Sequence, residues 1–222
     1  MSHPTFEALA QSRPADTVVD ALTALRAATR DQHAQLDAGL PIARPEASLP
    51  DYAAHACALW AWLTALAPEL QALTESEPRF QPGTAERLLA LQADLSDAAP
   101  ALQAGAGSRP GAASAATRAH VQQALACAPA EADAVRWGFA YVVEGSQLGG
   151  QVMHRQLADR LAPHPLRYLQ GRGADTGTHW KSFIALLRSH VATPQATAAA
   201  CKGAQAAFAG LAQHLHTEAP RT

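Results

Sequence analysis

The stretch WGFAYVVEGSQLGGQVM, residues 137–153, decides the reading of the fold. Trp137 and Tyr141 before the glycines, and Leu157 and Leu161 after them, keep the spacing of one helix face. Gly145, Gly149 and Gly150 interrupt that helix in an alanine-rich chain. Each interior glycine costs about 0.5–1 kcal/mol against alanine. Gly145 and Gly149 lie one turn apart and share a face of bare backbone. Such a face can kink the helix, admit a second helix at close range, or press against a flat ligand. Glu144 and Ser146 set polar groups beside it, which suits a polar guest.

With 222 residues and 48% hydrophobic content, the chain can bury the core of one ordinary domain. Charged residues make up 16% and aromatics 5%, so small side chains fill much of the core and helices approach closely. The net charge of -2, with signs interspersed, gives no basic stripe for nucleic acid. Cys57, Cys127 and Cys201 are odd in number and far apart, neither a disulfide framework nor a metal-ligand set. A reduced, cytoplasmic setting fits best. The opening MSHPTFEALAQSRPAD lacks the basic start and apolar run of a signal peptide. The uncharged stretch 53–68 falls short of the roughly 20 apolar residues of a membrane span, so a soluble protein is expected.

Along the chain the periodicity is helical throughout, and an all-α domain of seven or eight helices over 16–217 is expected, after a loose arm over 1–15. Asp16 or Thr17 caps a first helix carrying Val18, Leu22, Leu25, Thr29, His33 and Leu36 on one face, which turns His33 inward. A second helix opens at Leu49-Pro50-Asp51, and Pro68 should kink or end it. Thr84 caps a third. Residues 99–114 are low in complexity and read as a flexible loop. A fourth helix carries His120 and Val121; the glycine-bearing helix runs from about Ala132 to Leu161; a short turn follows at 166–169. Asp175 or Thr176 caps a helix with Trp180 and Phe183, and Thr193-Pro194 starts the last, with Phe208.

Few residues carry chemistry by pattern alone. His33 on an inward face is a candidate ligand for haem iron or zinc, or a buried histidine satisfied by a hydrogen bond. No HxxxH or ExxH pair supports a dinuclear carboxylate or protease zinc site. Ser146 sits in EGSQLGG, not in a GxSxG elbow, and the glycines do not spell GxGxxG after a strand. Arg26, Arg30, Lys181 and Arg188 either bind ligand carboxylates or solvate helix faces; Tyr141, Phe208, Trp60, Trp62 and Trp137 read as core.

Two stretches together add a resemblance. LRAATRDQH at 25–33 followed by AQLD resembles the first helix of haem oxygenases, and YVVEGSQLGGQVM at 141–153 resembles their distal helix, in the form of bacterial members paired with bacteriophytochromes. THWKSFIALL at 178–187 is a weaker match to the helix that offers a propionate-binding lysine. The resemblance implies a haem-binding all-α fold that opens haem to biliverdin and releases carbon monoxide and ferrous iron. Haem serves as both substrate and cofactor. An external electron donor is implied, such as ferredoxin or another reductase, with a bacteriophytochrome as a possible acceptor of biliverdin.

By the same resemblance His33 is the axial iron ligand, and Gly145 and Gly149, with Gly150 beside them, set backbone against the distal face. Arg26, Lys181 and Tyr141 approach the propionates, and Phe208 contacts the cofactor. Two positions depart from the animal-type pattern. Ser146 stands where an aspartate organises distal water, and Ala185 where an arginine binds a propionate. The first departure keeps a non-catalytic haem carrier or sensor open as the alternative. A thiaminase-like enzyme on the same architecture would need a nucleophilic cysteine with a carboxylate partner, and neither Cys57 nor Cys127 has one in sequence.

Overall fold

The computed structural model describes residues 20–101 and 114–217, apart from the side chains of His214, His216 and Thr217. Among these residues the chain forms eight α-helices and no strand: α1 Ala21–Gly39, α2 Leu49–Ser76, α3 Thr84–Ala98, α4 Ala115–Ala126, α5 Ala132–Leu157, α6 Arg167–Gln170, α7 Thr176–His190 and α8 Pro194–Thr217. The arm at 1–15, the caps at Asp16 and Thr17, and most of 99–114 lie outside the described residues. No described helix is long and apolar enough to cross a membrane.

Local chemistry sets the ends. Asp20 caps α1 by accepting the Thr23 N–H at 3.3 Å. Ser48 and Asp51 form a reciprocal capping box at the start of α2. Gly83, at φ 62°, takes the N-cap of α3 expected for Thr84. α5 ends at Leu157 rather than Leu161, and Pro163 and Pro165 beyond it supply no N–H for a further turn. Pro68 does not end α2. Leu63 and Leu66 before it and Leu70 and Leu73 after it are fully buried, while Pro68 faces outward, so packing carries the helix through the missing hydrogen bond.

α8 is the axis of the domain, touching α1, α2, α4 and α5. Its approach to α5 is close because glycines face backbone. A Cβ on Gly138 would stand 2.0 Å from the Ala200 carbonyl oxygen, and one on Gly203 would stand 2.1 Å from that of Val135. Trp62 of α2 then donates its indole N–H to the Ala207 carbonyl at 2.9 Å. On the other side, fully buried Asp94 of α3 accepts the backbone N–H groups of Arg167 and Tyr168 at 3.0 and 2.9 Å, and the Tyr52 hydroxyl. That carboxylate is stable inside because its oxygens are hydrogen-bonded, and it straps α6 to α3.

The glycines divide into two kinds that stability separates. Gly138→Ala and Gly203→Ala should each destabilise the protein by about 1–3 kcal/mol or more, since backbone cannot yield to the new methyl. Gly149→Ala, with nothing within 4 Å of the new carbon, should stabilise the ligand-free protein by about 0.5–1 kcal/mol. Urea unfolding of the three variants checks the order.

His55 of α2 is buried, its Nδ1 has no partner among the described residues, and burial lowers its pKa from 6.5 to about 4. As pH falls, the unfolded chain takes up this proton first. The histidine is therefore neutral in its effect above pH 6.5 and opposes folding increasingly down to about pH 4, by at most roughly 3 kcal/mol. Measured by denaturant unfolding, the stability of His55→Leu relative to the native chain should rise as pH is lowered across that window. A gap independent of pH would contradict this account.

Candidate functional site

The glycines of 145–150 are not equivalent. Gly145 is half-buried, and a Cβ there would meet Trp180 Cζ3 and Cη2 at 3.8 Å. Gly149 is exposed, with nothing within 4 Å of that position. Gly150 turns away to α6, where a Cβ would lie 3.6 Å from the Leu169 carbonyl oxygen. Val152 follows Gly145 by two turns, on nearly the same stripe, and is 45% exposed, one of two large apolar side chains so exposed among the described residues. The face of α5 is thus covered at Gly145 and bare from Gly149 to Val152. Close helix contact, one of the three readings of the sequence, is supplied by Gly138 and Gly203 instead.

Trp180 of α7 is half-buried, with ring centroids 5.5 Å from Phe183 and 6.0 Å from Tyr141. Tyr141, one turn before Gly145, is half-buried as well. Burial pushes its hydroxyl pKa up, and the Thr29 side chain and the Arg26 charge on α1 oppose this. Tyr141, on the turn of α5 before Gly145, therefore reaches Thr29 of α1. Arg26 and Lys181 are exposed.

His33 lies one turn beyond Thr29, and its side chain is 62% exposed rather than turned into the core. The buried stripe of α1 comprises Ala21, Leu22, Leu25 and Thr29 and stops there. Past Thr29, buried Phe208 of α8 approaches the imidazole at 5.7 Å and 60°. The His33 Nδ1 lies 2.9 Å from Asp37 Oδ2. In the neutral ring this contact holds the proton on Nδ1 and leaves the Nε2 lone pair free, as in histidines that bind metal through Nε2. No group of three or more His, Cys, Asp or Glu among the described residues could hold a bare metal ion. His33 can offer a single axial ligand, which suits an iron that brings its other ligands with it.

Behind the bare face α5 is anchored by charge. Glu144 is buried and accepts Arg87 of α3 at 2.8 Å and contacts His179 Nε2 of α7 at 2.9 Å. Arg87 also donates to the Val143 carbonyl at 3.3 Å. Ser146 is half-buried and donates to that same carbonyl at 2.8 Å. Its side chain, with that of Gln147, opposes the rise that burial imposes on the Tyr168 hydroxyl. Ser146 thus sits between the glycine face and Tyr168. A cavity of about 850 Å³, lined by Arg87, Gln147, Tyr168 and Arg172 among others, opens on the far side of α5 and is separate from Gly149.

The sequence reading missed Asp37, Trp180, Arg87 and Val152 as parts of this region. Asp37 had a signal, its i,i+4 spacing from His33. Arg87 and Trp180 had none, since the groups of α5 that they meet lie on another helix.

Comparison with known proteins follows this geometry. Over 91 residues the chain is 43% identical to "Heme oxygenase" of Xanthomonas campestris pv. campestris (strain 8004). That alignment covers 40% of this chain and 52% of the other, so the chain spans about half the length of the curated relative it matches. The family model described as Heme oxygenase matches residues 19–217. With a match of that extent, taking in every described helix, the chain belongs to the haem oxygenase family.

Proposed function

We propose that the protein opens haem oxidatively to biliverdin, with release of carbon monoxide and ferrous iron, using dioxygen and electrons from an external donor. The observation that carries the reading is the pair of features on α1 and α5. One is an exposed imidazole whose Nδ1 is held by Asp37; the other is a helix interior left bare at Gly149, where alanine would be the more stable residue.

Bound haem supplies the redox iron and the ring to be cleaved; the chain's residues hold, orient and shield it. His33 would hold the iron through Nε2. Asp37 fixes its tautomer and Phe208 backs its ring. Gly149 would let the backbone of α5 form a low ceiling, with Gly145 beside it under Trp180 and Gly150 seating that segment on α6. A low ceiling admits a small diatomic molecule lying flat and excludes a larger external substrate. Arg26, Lys181 and Tyr141 are the propionate-side groups. Ser146 is the distal polar group, with Tyr168 next to it rather than the carboxylate of animal-type enzymes. The proposed reaction draws on an external electron donor, a ferredoxin or another reductase, in a cytoplasmic setting, with a bacteriophytochrome as a possible acceptor of biliverdin.

Titration with hemin should produce a Soret band and a histidine-ligated ferric spectrum, and His33→Ala should lose that ligation. Reductant under oxygen should then give biliverdin, identified by its absorption; intact haem after that treatment would leave binding without turnover and refute the proposed reaction.

Asp37→Asn keeps the shape of the contact but removes the carboxylate. It should weaken hemin affinity about 10-fold or more, within the range seen when partners of metal-bound histidines are changed. Equal affinity in both proteins would show that Asp37 does not act through His33.

A further inference from the structure

Resting on the haem-binding reading, we infer that Trp180 is the stop that sets where a planar ligand seats along α5. Its indole covers the Gly145 end of the bare face and leaves Gly149 as the point of closest backbone approach.

Gly145 and Gly149 share one helix face, yet their surroundings differ. The benzo edge of Trp180, atoms Cζ3 and Cη2, stands 3.8 Å from where a Gly145 Cβ would be, an ordinary van der Waals contact. The same construction at Gly149 meets nothing within 4 Å. The exposed apolar surface continues from Gly149 to Val152. A flat apolar ring laid on α5 therefore gains contact toward Val152 and meets an obstacle toward Gly145.

Trp180 is a fixed obstacle rather than a swinging one. Its ring packs on Phe183, which is 1% exposed and itself lies 5.9 Å from both Phe80 and Trp137 in the core. Tyr141 closes the other side at 6.0 Å. Moving the indole off Gly145 would strip it from both. The seating of a disc-shaped ligand decides which part of its rim lies under the bare backbone, so Trp180 is a specificity-determining residue for the site. The neighbouring Lys181, exposed on the same helix, is one residue away and presents its charge on a different face.

Hemin affinity in a mutant cycle tests this, read from the Soret titration and so without turnover. With Trp180 in place, Gly149→Ala should weaken hemin binding by about tenfold or more, because the methyl enters the seat itself. Gly145→Ala should weaken it less than about threefold, since the indole already holds the ligand off that position. In a Trp180→Leu background the stop is gone, and Gly145→Ala should become as damaging as Gly149→Ala. Trp180→Phe, with circular dichroism on every variant, guards against loss of the fold and should give an intermediate cycle. Equal losses for the two alanines with Trp180 present, or a Gly145→Ala effect unchanged by Trp180→Leu, would overturn the stop while leaving haem binding intact. Absence of any Soret band in the unaltered protein would overturn haem binding, and the stop with it.

Discussion

The backbone-to-backbone approach of α5 and α8 is the constraint on which the rest depends. Gly138 and Gly203 let two helices meet with carbonyl oxygens where side chains would otherwise stand. A core poor in aromatic residues can be dense only if its helices come that close. Once α8 is fixed against α5, its remaining faces place α1, α2 and α4. α1 then carries His33 beside Phe208 of α8 and out to the surface, and α5 carries its bare segment past its tight contact with α8. The candidate site lies on the parts of two helices that the packing leaves over.

Charge completes what packing begins. The glycines of α5 weaken the helix where its backbone must stay in place. Glu144, in the same turn as Gly145, is buried against Arg87 from α3 and His179 from α7. Removing one member would leave an uncompensated charge in the interior, so the cluster resists distortion of the segment more than its net stabilisation suggests. Asp94 does the same for α6, which backs Gly150 through Leu169. Two buried carboxylates thereby hold the framework around a stretch that its own sequence makes weak.

Much of the fold could be read from periodicity, since every helix from α2 onward was expected close to its observed place. The errors share a cause. Pro68 should kink or end its helix, and it does not end it, because leucines buried on both sides carry the helix past. Thr84 is a good cap by composition, but the turn requires a left-handed residue and Gly83 supplies it. His33 follows the spacing of the buried face, but that face ends at Thr29, and past it α8 sets Phe208 beside the imidazole without enclosing it. In each case a local rule met a tertiary contact that local spacing does not encode.

By itself, the sequence determined the helical class and a domain-sized core, because spacing and composition are local properties. Only the tertiary structure decided which glycines pack helices and which stay bare, since that depends on what a distant segment brings to the same place. It likewise revealed that Trp180 covers one end of the bare face and that Arg87 secures the helix from behind. Gly138 and Gly149 are the same residue in the same helix; the difference between them is Ala200.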